Sequence, residues 1–320
     1  MCSSDLYLPT KRGFDRFFGI PYSNDMLGTR NKILPLPLYR DDQVVEQGID
    51  QRTLTRRYTE EAIGFITQNK DRPFFLYIPQ NFPHVPLYAS KEFAGRSPRG
   101  LYGDVVEELD DGVGKIRKAL DEHGLTRNTL VFFTSDNGPW LGRKLEGGSA
   151  GLLKEGKGST WEGGMRVPAI ACWPGRIPAG RTTTDLGSVL DLFSTCLDLA
   201  GVAPPGDRII DGVSMKGLLE GTAPGSRRTL FYYRGTKLMA VRKGPWKAHL
   251  STMPGYGQPT DWKDHSPPLL FQLDRDPSER FDVAEANPAV VADLLAEVDR
   301  HRKTVSPVPS QIDEPTTANR

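Results

Sequence analysis

The chain has 320 residues, 38% of them hydrophobic and 25% charged, enough to bury a large core in one big domain with a smaller one beside it. With 41 basic residues against 40 acidic ones the formal charge is +1, so no overall field draws it to nucleic acid or to an anionic membrane. Any anion it binds must be held by a local site. Three scattered cysteines, Cys2, Cys172 and Cys196, are too few for a disulfide framework or a zinc cluster and read as buried free thiols.

No apolar run is long enough to cross a bilayer, and residues 1–30 lack a charged-then-apolar signal pattern. No Asn-x-Ser/Thr sequon occurs, which argues against a eukaryotic secretory protein. The opening Cys2-Ser3-Ser4-Asp5-Leu6 resembles the translation of a sequencing adapter and predicts a gene fragment cut at its 5′ end.

Over residues 50–200 helices alternate with short apolar strands, the rhythm of an α/β fold with a mostly parallel sheet flanked by helices. Leu54, Tyr58, Ala62, Ile63 and Ile66 recur at helical spacing, and Pro73–Pro79 then reads as a buried strand. Val105, Val106, Leu109, Val113, Ile116 and Leu120 mark a second helical stripe that stops at Gly124, a residue suited to a left-handed cap. The acidic run Glu107, Glu108, Asp110 and Asp111 falls mostly on its polar, solvated side. Leu130–Thr134 and Pro168–Trp173 are the next strands, and Asp191–Leu199 the next helix.

From about Arg227 the texture changes to hairpin-like segments, Leu230–Tyr233, Leu238–Arg242 and Trp246–Leu250, which predict a small antiparallel sheet. Val290, Val291, Leu294, Leu295 and Val298 predict a helix packed on it. The expected organisation is an α/β domain over 1–225, a small α+β subdomain over 226–303 and a polar, disordered tail over 304–320.

Three stretches could do chemistry. Ser135-Asp136-Asn137-Gly138 follows directly on a predicted strand, where open α/β sheets place their ligands, and a carboxylate beside an amide carbonyl offers hard oxygen donors for calcium or magnesium. Asn-Gly is equally a common turn dipeptide. In Gly151–Pro168, glycines at 156, 158, 163 and 164 surround Lys157, a compact cation able to hold a tetrahedral oxyanion; the spacing is not that of a Walker loop, and a flexible surface loop fits the same residues. His84 stands between Pro83 and Val85-Pro86, where it could protonate a leaving group near neutral pH or serve structure alone. His123 and His301 near helix C-termini are explained by the helix dipole, whereas His249 lies on a strand that could point it over a cleft.

Taken in order, these stretches resemble the type I sulfatases of the alkaline phosphatase superfamily, the arylsulfatase-A-like group, from Leu8–Tyr22 through Pro268–Pro277. The resemblance implies that Asp136 and Asn137 match calcium ligands, that Lys157 matches the lysine gripping the substrate sulfate, and that His84 matches the histidine that contacts the sulfate and protonates the leaving oxygen. His249 matches a histidine near the substrate pocket. The family's nucleophile is a formylglycine made from a C/S-x-P-S-R motif. That motif, an aspartate pair completing the calcium site and a G-K-x-H segment lie upstream of the Gly13-Phe14 region in the family, and none is found here.

The chain is therefore expected to be the C-terminal two-thirds of a longer sulfatase, inactive alone. Cys172-Trp-Pro-Gly-Arg176 fits a looser C-x-P-x-R pattern, but the family carries Trp-Pro-Gly at this place without a nucleophilic role, so it is read as coincidence. The function implied is hydrolysis of a small-molecule or glycan sulfate ester by a calcium-dependent protein of the periplasm or secreted space. A phosphodiester or phosphonate hydrolase of the same superfamily, or an inert anion-binding fragment, are the alternatives. Sulfate is preferred because one lysine and a calcium site suit a substrate with a single negative charge.

Overall fold

The computed structural model describes residues 8–26, 35–259 and 261–305. Cys2, the adapter-like opening and most of the expected tail lie outside the described residues. The chain divides into two compact units, one running up to Thr129 and taking in Lys144–Gly147, the other formed by Leu130–Arg143 and the residues from Gly148 onward.

In the first unit, β1 (Phe18–Gly19), β2 (Pro37–Arg40) and β3 (Gln43–Gln47) form an antiparallel sheet in that order. The β2–β3 turn places Asp41 at φ +56°, a left-handed conformation that a short polar side chain tolerates. Helix α1 (Leu54–Asn69) buries Leu54, Tyr58, Ala62 and Ile66, the stripe its spacing predicts. It packs on α2 (Gly100–Glu122) where Gly112 meets Thr59; a Cβ at Gly112 would stand 2.7 Å from the Thr59 hydroxyl. Gly124 at φ +69° follows α2, and Leu125 N–H bonds back to the Leu120 carbonyl at 2.8 Å, satisfying an orphan carbonyl of the last turn.

The acidic run on α2 is not uniformly solvated. Glu108 is buried and accepts the Ser90 N–H at 2.8 Å, so its charge is compensated by backbone rather than by water. Asp104, also buried, accepts from Gly95 and Ser97.

The second unit holds β4 (Val131–Thr134) antiparallel to β5 (Ala169–Cys172), with the short helix α3 (Glu162–Met165) before β5 and helices α4 (Leu190–Ala200) and α5 (Lys216–Glu220) after it. Arg227 forms a buried pair with Asp191 at the start of α4, and Asp191 also accepts from Ser188 and Val213 N–H groups. A four-stranded antiparallel sheet follows in order β6 (Thr229–Arg234), β7 (Lys237–Lys243), β8 (Trp246–Thr252), β9 (Lys263–Gln272). Helix α6 (Pro288–Arg302) lays Val291, Leu294 and Val298 against Leu238, Val241, Ala248 and Leu270. Proline at its first position costs nothing, since that N–H has no helical partner.

The helices, and the small antiparallel sheet with its helix, follow the expected pattern. Every strand pair among the described residues is antiparallel. Pro73–Pro79, expected as a buried strand, has no ladder partner among the described residues, and Phe75 and Tyr77 are 60% and 65% exposed. Without a neighbouring strand its backbone donors and acceptors cannot enter a sheet, and only one side of the segment is covered, with Phe74, Leu76 and Ile78 half-buried.

Candidate functional site

Strands β4 and β5 pair so that Thr134 stands opposite Ala169. The loop leaving β4 and the segment entering β5 therefore begin at the same end of the ladder. Two glycines let them touch. Gly138 N–H bonds to the Gly164 carbonyl at 2.9 Å, and a Cβ at Gly138 would fall 1.8 Å from the Gly163 oxygen. Lys157 N–H bonds to the Pro139 carbonyl at 2.8 Å, while a Cβ at Gly156 would come within 2.3 Å of that same oxygen. No side chain larger than hydrogen fits either position with the backbones so placed.

The first loop carries Asp136 and Asn137. Ser135 Oγ donates to the Asn137 carbonyl at 3.0 Å and closes the turn. Asp136 is exposed, and its carboxylate has no hydrogen bond or ion pair with any described residue. An unpaired carboxylate next to an amide oxygen suits a hard cation, and the pair fits a calcium shell as two of its roughly six to eight oxygens. No group of three or more metal-binding side chains occurs among the described residues, so the pair alone could fill only part of such a shell.

The second loop holds Lys157 half-buried. Its ammonium lies 5.8 Å from the centre of the Trp140 ring and forms no ion pair among the described residues. Residues on both sides are pinned by the C-terminal sheet and its loops. Tyr256 N–H bonds to the Lys157 carbonyl at 2.8 Å, and Arg234 donates to the Gly158 carbonyl. Glu155, held at φ +61°, accepts from Gly255 N–H and Gln258 at 3.1 Å each. A non-glycine residue in this conformation carries strain that the surrounding bonds must hold, a frequent feature of ligand loops.

Beneath this loop runs a buried ionic network that the sequence did not reveal. Lys247 Nζ meets Glu162 Oε1 at 2.9 Å, Glu279 Oε1 at 3.2 Å and the Thr160 carbonyl at 2.8 Å. Glu279 also accepts the Glu162 N–H at 2.6 Å. Burial opposes the charge on Lys247, but the two carboxylates outweigh it and raise its pKa. Burial likewise opposes ionisation of Glu279, and the Lys247 ammonium reverses that, holding it below the usual glutamate value. Lys154 turns inward too: it sits 3.6 Å from the Trp161 ring centre and donates to the Glu279 carbonyl at 3.3 Å, and burial lowers its pKa. The signal in sequence was a lysine and a histidine at alternating positions in Trp246–Leu250, an apolar strand where charge needs a buried partner.

His249, expected as a substrate contact, belongs to this network instead. It is 0% exposed, its Nε2 lies 2.6 Å from Glu279 Oε1, and its ring packs 4.2 Å from Trp161. Burial first, and the nearby Lys247 ammonium with it, push its pKa down to about 4 against the pull of Glu279. The neutral ring thus donates from Nε2, and Nδ1 is left buried without a partner. A side chain with no exposed surface cannot touch a substrate, so its role is internal.

His84 lies in the first unit, the other candidates in the second. It is half-buried, and Nδ1 is 2.7 Å from the Val85 carbonyl, which can only accept, so Nδ1 carries a proton. The loop is tied to α1 through Tyr58, whose hydroxyl donates to Asn81 Oδ1 at 2.7 Å. Cys172 sits opposite Val131 in the β4–β5 ladder, its thiol half-buried. A cleft lined by Lys237, Ser251, Asp264 and His265 includes none of the candidate residues.

The sulfatase family model matches residues 2–202, and a model of the C-terminal region of aryl-sulfatase matches residues 225–320. N-acetylgalactosamine-6-sulfatase of Mus musculus is 47% identical over 307 residues, covering 85% of this chain and 58% of that protein. Arylsulfatase A of Homo sapiens is 39% identical over 327 residues, covering 90% and 64%. The crystal structure of a sulfatase from Pseudoalteromonas sp. superposes with a TM-score of 0.79 at 27% identity, covering 84% of this chain and 57% of that one. The chain thus spans about three-fifths of the length of these curated relatives.

Proposed function

Because this chain belongs to the sulfatase family, as the match over residues 2–202 establishes, we propose that the full-length protein hydrolyses sulfate monoesters. The observation that carries this reading is the glycine-fitted junction of two loops, one holding the unpaired Lys157 ammonium and the other the unpaired Asp136 carboxylate with Asn137. A single fixed cation beside a hard-cation site suits a tetrahedral ester with one negative charge.

In this reading Lys157 holds a sulfate oxygen and stabilises charge as the ester bond breaks. His84, its Nδ1–H engaged with the Val85 carbonyl, gives a proton from Nε2 to the leaving oxygen. Asp136 and Asn137 would hold calcium, which supplies a further positive charge at the ester when bound. A formylglycine in a segment upstream, where the family carries its C/S-x-P-S-R motif, would supply the covalent step. The relation to an N-acetylgalactosamine-6-sulfatase favours a sulfate ester on a sugar.

Residues 1–225 are assigned to the catalytic α/β domain and 226–303 to the subdomain that braces the Lys157 loop. No helix among the described residues is long and apolar enough to cross a membrane. The full-length protein is placed in the periplasm or outside the cell, and its recovery in the cytoplasmic fraction on cell fractionation would refute that placement.

The test is a full-length gene product offered a chromogenic aryl sulfate. Turnover that stops on chelation and returns with calcium supports the reading. Turnover indifferent to chelation, or faster hydrolysis of an aryl phosphodiester or phosphonate ester, contradicts it.

A further inference from the structure

Beside Lys157 lie two aromatic side chains and a cation that none of the roles above uses. The rings of Trp140 and Tyr256 meet edge to face with centroids 6.1 Å apart. Tyr256 is anchored by its N–H to the Lys157 carbonyl, and its side chain is 44% exposed. Gly142 permits the approach, since a Cβ there would stand 3.1 Å from the Tyr256 carbonyl and 3.4 Å from Trp140 Nε1. The Arg143 guanidinium lies 4.4 Å from the Trp140 ring centre, so one indole is flanked by Arg143 and by the Lys157 ammonium at 5.8 Å.

A cation over an aromatic ring is ordinary, occurring roughly once per 70–80 residues, and alone would mean nothing. Two further facts set this group apart. The indole is shared with the lysine assigned to the sulfate, and Arg143 is exposed with no carboxylate partner among the described residues. The acid that does lie on this loop, Glu155, is occupied by Gly255 and Gln258. The result is an aromatic wall with two positive charges beside it that no described carboxylate pairs. Aromatic faces cover the apolar C–H face of a pyranose, and a planar guanidinium matches a carboxylate or sulfate with two parallel hydrogen bonds.

We propose that Trp140, Tyr256 and Arg143 form a sugar subsite adjoining Lys157, which binds a glycan carrying a second anionic group, carboxylate or sulfate, beyond the ester that is cleaved. The subsite rests on the sulfatase reading and names its substrate class: a polyanionic glycan, with small aryl esters served by Lys157 and not by this wall. Arg143 is the specificity-determining residue, and Trp140 supplies the stacking surface.

The experiment uses the full-length enzyme and four substrates: a chromogenic aryl sulfate, a disaccharide bearing one sulfate ester only, the same disaccharide with a uronic acid carboxylate, and the same with a second sulfate. In the wild type kcat/KM is expected to be higher for the doubly anionic disaccharides than for the singly charged one, and the better of the two identifies the second group. Arg143→Ala lowers the ratio of kcat/KM for the doubly anionic disaccharides to that for the singly charged one about tenfold, the scale of one charge-assisted hydrogen bond, and Arg143→Lys restores part of it. Trp140→Ala lowers kcat/KM for all disaccharides relative to the aryl sulfate. Equal losses on all four substrates, or no loss, overturn the subsite while leaving the hydrolase reading intact. A wild type that hydrolyses none of the four overturns the hydrolase reading and the subsite with it.

Discussion

Lys247 Nζ stands 2.9 Å from Glu162 Oε1, and neither side chain reaches solvent, so the middle of β8 is tied to the segment that carries Lys157. The same segment is bonded to the C-terminal sheet and the turns around it at several other points. Ser278 Oγ donates to the Leu152 carbonyl at 2.5 Å, Lys154 to the Glu279 carbonyl, and Arg242 Nη1 reaches Glu162 Oε2 at 3.5 Å. A loop rich in glycine has high conformational entropy when free, and these bonds supply the fixed geometry that an anion site needs. A buried ion pair is weak evidence of net stability, because desolvation offsets much of its Coulomb gain. Its cost when broken is another matter.

Lys247→Met removes the buried ammonium that Glu162 and Glu279 share and leaves Glu162 the longer contact to Arg242 at 3.5 Å. Loss of one member of such a group is expected to destabilise residues 1–320 by about 3–5 kcal/mol, read as a lower urea midpoint. Adding Glu162→Gln to Lys247→Met removes one of the stranded charges and is expected to recover part of the loss. A single variant as stable as the wild type, or a double variant showing the two losses simply added, would contradict the network described.

Acid should weaken the fold through the same residues. His249 has a folded-state pKa of about 4 against an ordinary value of 6.5, so between those two the unfolded chain binds the proton that the folded chain refuses. Its contribution is therefore fully present above pH 6.5 and lost as pH falls towards 4, up to about 3 kcal/mol for a shift of that size. Glu279, also depressed, adds to the loss below the usual glutamate range. Burial holds His301 down as well, so the two must be separated. Unfolding free energies measured from pH 7 to pH 4 should fall steeply in the wild type and less steeply in His249→Asn; identical slopes would remove His249 from the explanation.

How much of this could be read from sequence depends on the distance over which each feature is built. Helices α1, α2, α4 and α6 announce themselves through local periodicity, and the Gly124 stop needs only its own neighbours. Strand β9 was missed because Pro267 and Pro268 argue against a central strand; it lies at the sheet edge, where missing donors cost little. The β2–β3 hairpin was missed because β3 leaves Val44 and Val45 exposed, erasing the alternation that marks a half-buried strand. The glycine pattern around Lys157 was legible as a close-approach loop. Its partners were not, since Lys247 is 85 positions from Glu162 and Glu279 is 117 from it. His249 was misread for that reason: a histidine on a strand looks available until the carboxylate it meets 30 residues later is known.

The proposed roles of Lys157 and His84 in sulfate ester hydrolysis are tested most directly by turnover of a chromogenic aryl sulfate by the full-length protein and its two alanine variants. Lys157→Ala and His84→Ala are each expected to lower kcat by about two orders of magnitude or more, the usual scale for removing one preorganised group. Wild-type turnover in both variants would contradict the assignment of the site.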